Sequence, residues 1–167
     1  MQSHFSSKVL AIDPGPFVSG WVVYDMVAET VDNHGIDNND ALVFMIEPGM
    51  DKWPIANHIA IERFEARGMP IGESSIETII WTGRFAQAWS SCVNWVRRRD
   101  VKLHLCGTMR AKDSNINAVL GDRFSAGQGM RAAKGLKKSP GPLYGMKSHS
   151  LAALAVALTF AETKHEQ

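Results

Sequence analysis

The sequence predicts an α/β domain built on a mixed sheet. Three observations carry that expectation. The first half holds short β-branched runs broken by Gly, Pro and Asn/Asp turns; after residue 75 the apolar residues recur at three and four; and the chain closes on an Ala-rich helical segment. With 167 residues, 45% hydrophobic and 21% charged, the chain has the length and apolar content of one domain that buries roughly two thirds of its unfolded surface. No repeat, heptad or Pro/Ser linker divides it, so residues 1–167 are read as a single domain.

Residues 8–13 (KVLAID) form a first strand that stops at Pro14-Gly15, and residues 20–27 (GWVVYDMV) form a second. Residues 30–40 are rich in Asn, Asp and Gly and read as a connection, followed by a third strand over 41–46 (ALVFMI). Residues 58–62 (HIAIE) read as a fourth, buried strand closing in a carboxylate. The spacing of Ile76, Ile79, Ile80, Ala86, Trp89, Val93 and Val96 predicts one long amphipathic helix over 75–98. Residues 101–105 (VKLHL) are the fifth strand candidate, and Asp113 or Ser114 is placed to cap a short helix running to Phe124. Residues 125–147 read as a flexible Gly-, Lys- and Pro-rich loop. Ser148 or Ser150 then caps a last helix whose small face (Ala152, Ala153, Ala155, Ala157) permits close packing on a sheet. The expected architecture is therefore a five-stranded mixed sheet, its first three strands antiparallel, flanked by helices.

The formal charge is +1, but it is segregated. Residues 1–96 carry 5 Lys/Arg against 12 Asp/Glu, and residues 97–147 carry 12 against 3. A basic half of this kind is the footprint of a polyanion contact if the fold gathers it on one face. The two cysteines, Cys92 and Cys106, have neither disulfide-framework nor zinc-site spacing and are expected to be buried thiols. The longest apolar run, 151–160, is far short of the ~20 residues that span a bilayer, and the N-terminal residues lack a signal-peptide layout, so no membrane partner and a cytoplasmic location are expected. There is no GxxxxGKS/T, and the glycines around Gly15 and Gly20 do not make GxGxxG, which disfavours a nucleotide cofactor.

Asp13 ends the first strand, Glu62 ends the fourth, and His149 opens the last helix. If the first and fourth strands are neighbours, both carboxylates emerge at one sheet edge, where a docked helix start brings the imidazole alongside. Oxygen ligands suit Mg²⁺ or Mn²⁺, and an imidazole tilts the choice toward Mn²⁺. Such cations activate water and stabilise the leaving 3′-oxygen in phosphodiester cleavage. Each residue also has a plain structural reading: Asp before Pro-Gly as a turn initiator, Glu62 as a solvated loop acid, His149 as a residue of a capping region.

The ordered motifs tie them together. KVLAIDPGPFVSGWVVYD, opening at Lys8, resembles the start of RuvC-family Holliday junction resolvases, and HIAIERFEARG is similar to that family's second acidic motif, an apolar strand ending in Glu and followed by an aromatic. GTMRAKDSNINAVLGDRF and KGLKKSPGPLYGMKSHSLAALAVALTF resemble the C-terminal part of phage-type members. The resemblance implies an RNase H-like fold and Mg²⁺-dependent endonuclease activity on branched DNA such as the four-way junction. It also implies a homodimer, working in the host cytoplasm if the chain is phage-encoded. It implies Asp13 and Glu62 as acidic ligands, and His149 where the family has Asp or His. Ala152 stands where many cellular members have a further Asp, so a strict four-ligand set is absent. Asp113 or Glu65 could supply another acid. A flap nuclease, or a DNA-binding protein that has lost cleavage, are the alternatives.

The basic segment suits the same substrate. Arg97, Arg98 and Arg99 are expected at the end of the long helix, where its dipole favours them. Arg110, Lys112, Arg131, Lys134, Lys137 and Lys138 are the candidate phosphate contacts. Phe64 is the candidate for insertion at a junction. Trp81, Trp89 and Trp95 are assigned to core or dimer packing on the long helix.

Overall fold

The computed structural model describes residues 7–47, 56–66 and 68–163. Strands β1 (Lys8–Asp13), β2 (Val18–Asp25), β3 (Thr30–Asn38), β4 (His58–Arg63) and β5 (Val93–Arg97) form one sheet in the order β3-β2-β1-β4-β5. The β1–β2 and β2–β3 pairs are antiparallel, and the β1–β4 and β4–β5 pairs are parallel. The expected five-stranded mixed sheet with three antiparallel leading strands is therefore present.

Alternation along each strand sorts the core into two layers. Val9, Ala11, Val22 and Ala60 face helix α6 (Ser148–Thr163). Leu10, Ile12, Val23, Ile59 and Ile61 face helices α1 (Asn39–Ile46) and α2 (Glu73–Ala88) on the other side, with Leu42, Ile46 and Phe85. Nearly all of α6 is buried, and its alanines let the helix lie close across β1 and β2.

Several elements differ from expectation. The third strand is 30–38, not 41–46. As an edge strand, β3 pairs on one side only, so its Asn, Asp and Gly content is tolerated. Its Gly35 is required: a Cβ there would stand 2.8 Å from the Trp21 ring. Residues 41–46 lie in α1, whose start is capped by Asn38 accepting the Asp40 N–H at 3.0 Å. A short apolar run does not by itself distinguish strand from helix.

The helix read over 75–98 ends at Ala88, and its last residues become β5 instead, secured to β4 by Asn94 Nδ2 donating to the Ile59 carbonyl at 2.9 Å. Residues 101–105 lie in helix α3 (Arg98–Cys106), where the V-K-L-H-L alternation merely imitates a strand. Trp95 consequently sits on β5, 46% exposed, while Trp81 and Trp89 pack in the layer under α2. Arg97 ends a strand, and Arg98 and Arg99 open a helix rather than close one.

Helix α4 (Asp113–Arg123) is preceded by Lys112, whose N–H reaches the Asn115 side chain at 2.8 Å; neither Asp113 nor Ser114 is the cap. Residues 125–147 are not simply loop. They hold helix α5 (Gly129–Lys134) and a small hairpin of β6 (Gly135–Leu136) and β7 (Ser139–Pro140). At the start of α6, the Ser150 hydroxyl accepts the Lys147 N–H at 2.9 Å. Cys92, in the turn before β5, is exposed and Cys106 is half-buried, both free, so the expected buried thiols are not found. Among the described residues no helix is long and apolar enough to cross a membrane.

Candidate functional site

The sheet register builds the site. Ala11 pairs with Ala60 and Ile12 with Ile61 in parallel, so the next positions, Asp13 and Glu62, stand side by side at the ends of β1 and β4. Both continue the parity of Ala11 and Ala60 and therefore face α6. The neighbouring turn holds Asp13 in place through a buried polar network. Gly15 N–H donates to Ser19 Oγ at 3.1 Å, Ser19 Oγ donates to Asn39 Oδ1 at 2.7 Å, and Asn39 Nδ2 donates to the Gly15 carbonyl at 2.9 Å. Ser19 and Asn39 are almost completely buried, so their mutual satisfaction is what makes their burial tolerable.

His149 arrives from the first turn of α6, with Nδ1 2.9 Å from Asp13 Oδ2. This approach depends on Gly20, the partner of Asp13 on β2. A Cβ at Gly20 would stand 2.7 Å from the His149 Cβ and closer still to its carbonyl. The hydrogen bond to Asp13 raises the His149 pKa above its ordinary value, against an opposing effect of partial burial. The ring itself is 49% exposed.

Glu62 is about as enclosed as Asp13, their side chains 18% and 16% exposed. Burial, followed by the charge of Asp13, pushes its carboxyl up to about 7, while Arg98 pulls in the other direction. Arg98 Nη1 lies 3.3 Å from Glu62 Oε2, and its other amine pairs with Asp113. Asp113 therefore belongs to the site through Arg98. Glu65 Oε1 lies 4.0 Å from Arg99 Nε. Among the described residues, no three His, Cys, Asp or Glu side chains are grouped tightly enough to hold a metal ion as they stand.

Arg98 is the residue that sequence reasoning missed. By sequence it groups with Arg97 and Arg99 as a helix end, whereas residues 93–97 form a strand that delivers it to the same edge as Glu62. Gly20 and Asn39 were missed as well, because only tertiary packing gives them their roles.

The remaining candidates are spread more widely. Phe64 lines a 530 Å³ depression with Ile79, Thr82 and Trp95, on the α2 side of the sheet, opposite to Glu62. Arg110 lies in the turn after α3, Lys112 precedes α4, Arg131 and Lys134 are on α5, and Lys137 and Lys138 form the tip of the small hairpin. Among the described residues none of these six cations is paired with an acid.

No protein-family model and no curated protein sequence matches the chain. Solved structures do. The structure of Thermus thermophilus RuvC superposes with a TM-score of 0.61 at 18% identity, covering 95% of this chain and 96% of that one. A second, T. thermophilus RuvC in complex with Holliday junction substrate, gives 0.65 at 18% identity, covering 96% of each. At this identity the likeness is one of architecture: the chain has the fold of the RuvC Holliday junction resolvase.

Proposed function

We propose that this protein is a divalent-metal-dependent endonuclease that hydrolyses phosphodiester bonds in branched DNA, the four-way junction being the first substrate to test. The observation that carries the reading is the side-by-side placement of Asp13 and Glu62 at adjacent parallel strand ends, facing a helix that delivers His149 to Asp13. It is supported by the shared fold with a protein solved on a Holliday junction.

The residues present fit a hard cation. Burial, and after it the neighbouring Asp13 charge, raises the Glu62 pKa to about 7, so the pair forms a site that positive charge relieves, and Arg98 supplies only part of it. Bound between Asp13 and Glu62, Mg²⁺ or Mn²⁺ would supply the Lewis acidity that phosphodiester hydrolysis requires. His149 holds a proton at Nδ1 against Asp13 Oδ2, which fixes that carboxylate and leaves Nε2 for a second partner. Glu62 must ionise to hold a cation, so metal affinity there would rise with pH toward neutrality. Arg110, Lys112, Arg131, Lys134, Lys137 and Lys138 are proposed to neutralise phosphates, each steepening the salt dependence of binding by about 0.9 log units per log unit of salt.

A homodimer is part of the same proposal. Ile76, Ile79 and Ile80 lie half-exposed on α2 beside the exposed Trp95, an apolar surface suited to a second copy. A second reading, a branched-DNA-binding protein without cleavage, draws on the Arg98–Glu62 pair, which occupies one candidate ligand, and on Ala152.

Incubation of a synthetic four-way junction with Mn²⁺ or Mg²⁺, against a linear duplex of the same sequence, separates these. Selective cutting of the junction that Asp13→Asn lowers by about a hundredfold or more, with junction binding retained, supports the nuclease. Tight junction binding without cutting under either metal favours the binding protein.

A further inference from the structure

The segment between α4 and α6 is built more firmly than its Gly- and Lys-rich composition suggests. Its base is anchored in the core by the fully buried Ala133 and Leu143 and by Met146. Gly141 N–H donates to the Lys134 carbonyl and Leu143 N–H to the Ala133 carbonyl, each at 2.9 Å. Gly135, at φ +65°, packs so tightly on Ser139 and Gly141 that no Cβ fits. The chain then runs through residues 141–147 directly into the start of α6 and His149.

This base presents an aliphatic side chain next to two lysines. Leu136 is 68% exposed and is followed by Lys137 and Lys138 at the tip, with Ser139 opposite Leu136 across the hairpin. Neither lysine is paired with an acid among the described residues, and the nearby Arg131 and Lys134 are equally unpaired. Four cations without an acidic partner, close in sequence to one exposed aliphatic side chain, make a surface whose charge a polyanion complements.

We propose that this hairpin is a DNA wedge: Lys137 and Lys138 sit on backbone phosphates while Leu136 inserts at a base step and opens it. The inference rests on the reading of DNA as substrate and names the element that would distort it. Aliphatic side chains inserted between base steps unstack and kink a duplex, most easily where stacking is already interrupted, as at a branch point. A rigid two-strand tip suits that task, because little ordering of the protein remains to be done on binding. An anionic membrane would attract the same lysines, but a single leucine offers it little apolar area.

The test uses the full chain in EDTA, so that no cutting intervenes, with four-way junctions carrying 2-aminopurine at successive steps around the crossover. The wild type is expected to raise fluorescence several-fold at one or two steps. Leu136→Ala should abolish that rise, Leu136→Phe should keep it, and both should leave the salt slope of binding unchanged. Lys137→Ala with Lys138→Ala should flatten the slope by about 0.9 for each lysine. Circular dichroism on each variant checks that the exposed substitutions leave the fold intact. The wedge is overturned if the wild type binds the junction without a rise at any step, if Leu136→Ala keeps the full rise, or if anionic vesicles bind in preference to DNA. Failure of the wild type to bind any DNA would instead overturn the endonuclease reading itself, and the wedge with it.

Discussion

Arg98 Nη1 stands 3.3 Å from Glu62 Oε2 while the same guanidinium holds Asp113, so one cation bridges an enclosed carboxylate and an exposed one. Both Arg98 and Asp113 lie in first turns of helices, α3 and α4. The helix dipole disfavours the arginine there, and the two acids offset it.

Replacing Arg98 with Ala should leave Glu62 enclosed beside Asp13 without its counter-charge. The metal-free protein is expected to lose about 1–3 kcal/mol in urea denaturation at pH 8, less than a fully buried pair would, because Glu62 retains some solvent contact. The loss should be much smaller at pH 5.5, where Glu62 is protonated. Equal losses at the two pH values would show that the charge pair is not the cause.

The metal-free fold should be less stable at pH 8 than at pH 5.5. Glu62 is raised from 4.5 to about 7 in the folded chain, so its contribution is fully present below 4.5 and is lost as pH rises through about 7. The His149 pKa is also raised; its contribution is present below its ordinary 6.5 and is lost at higher pH, in the same direction. Calorimetric Tm in EDTA at the two pH values checks this, and Glu62→Gln should weaken the dependence. Mn²⁺ held at the proposed site would displace the Glu62 proton, so in its presence the slope should oppose this. Affinity by titration calorimetry should climb up to about tenfold per pH unit toward 7 and then level off.

Gly20→Ala should push the start of α6 off β2, because the new methyl would meet the His149 backbone rather than a flexible side-chain tip. A loss of about 1–3 kcal/mol or more is expected. An NMR titration should also show the His149 pKa falling back toward its ordinary value as the Asp13 hydrogen bond is strained. An unchanged His149 pKa would mean that Gly20 does not set this contact.

Ile79→Asp combined with Ile80→Asp should convert a dimer to monomer in sedimentation analysis, with little change in the Tm of the monomeric fold, because both side chains are half-exposed in the single chain. A wild type that sediments as a monomer at tens of micromolar would remove the dimer from the proposal.

The strands that flank the site were legible because their chemistry is local. KVLAID before Pro-Gly and HIAIE are β-branched, apolar and bounded by turn residues, and each ends in its acid. The elements misread were those whose state depends on a distant partner. Residues 30–38 become a strand only because β2 offers an edge, and residues 93–97 only because β4 does. ALVFMI and VKLHL are too short to reveal their period and were resolved by α1 packing on the sheet and by Val101 entering the core.

By itself the sequence determined the mixed sheet, the two acids at strand ends, the Ala-rich closing helix and the segregation of positive charge. Only the tertiary structure decided that Asp13 and Glu62 are lateral neighbours, that Gly20 lets His149 reach Asp13, and that Arg98 rather than a third acid sits against Glu62. The reason is physical: a strand's residue pattern fixes which face a side chain takes, but strand order, register and close helix approach arise from contacts between segments far apart in the chain.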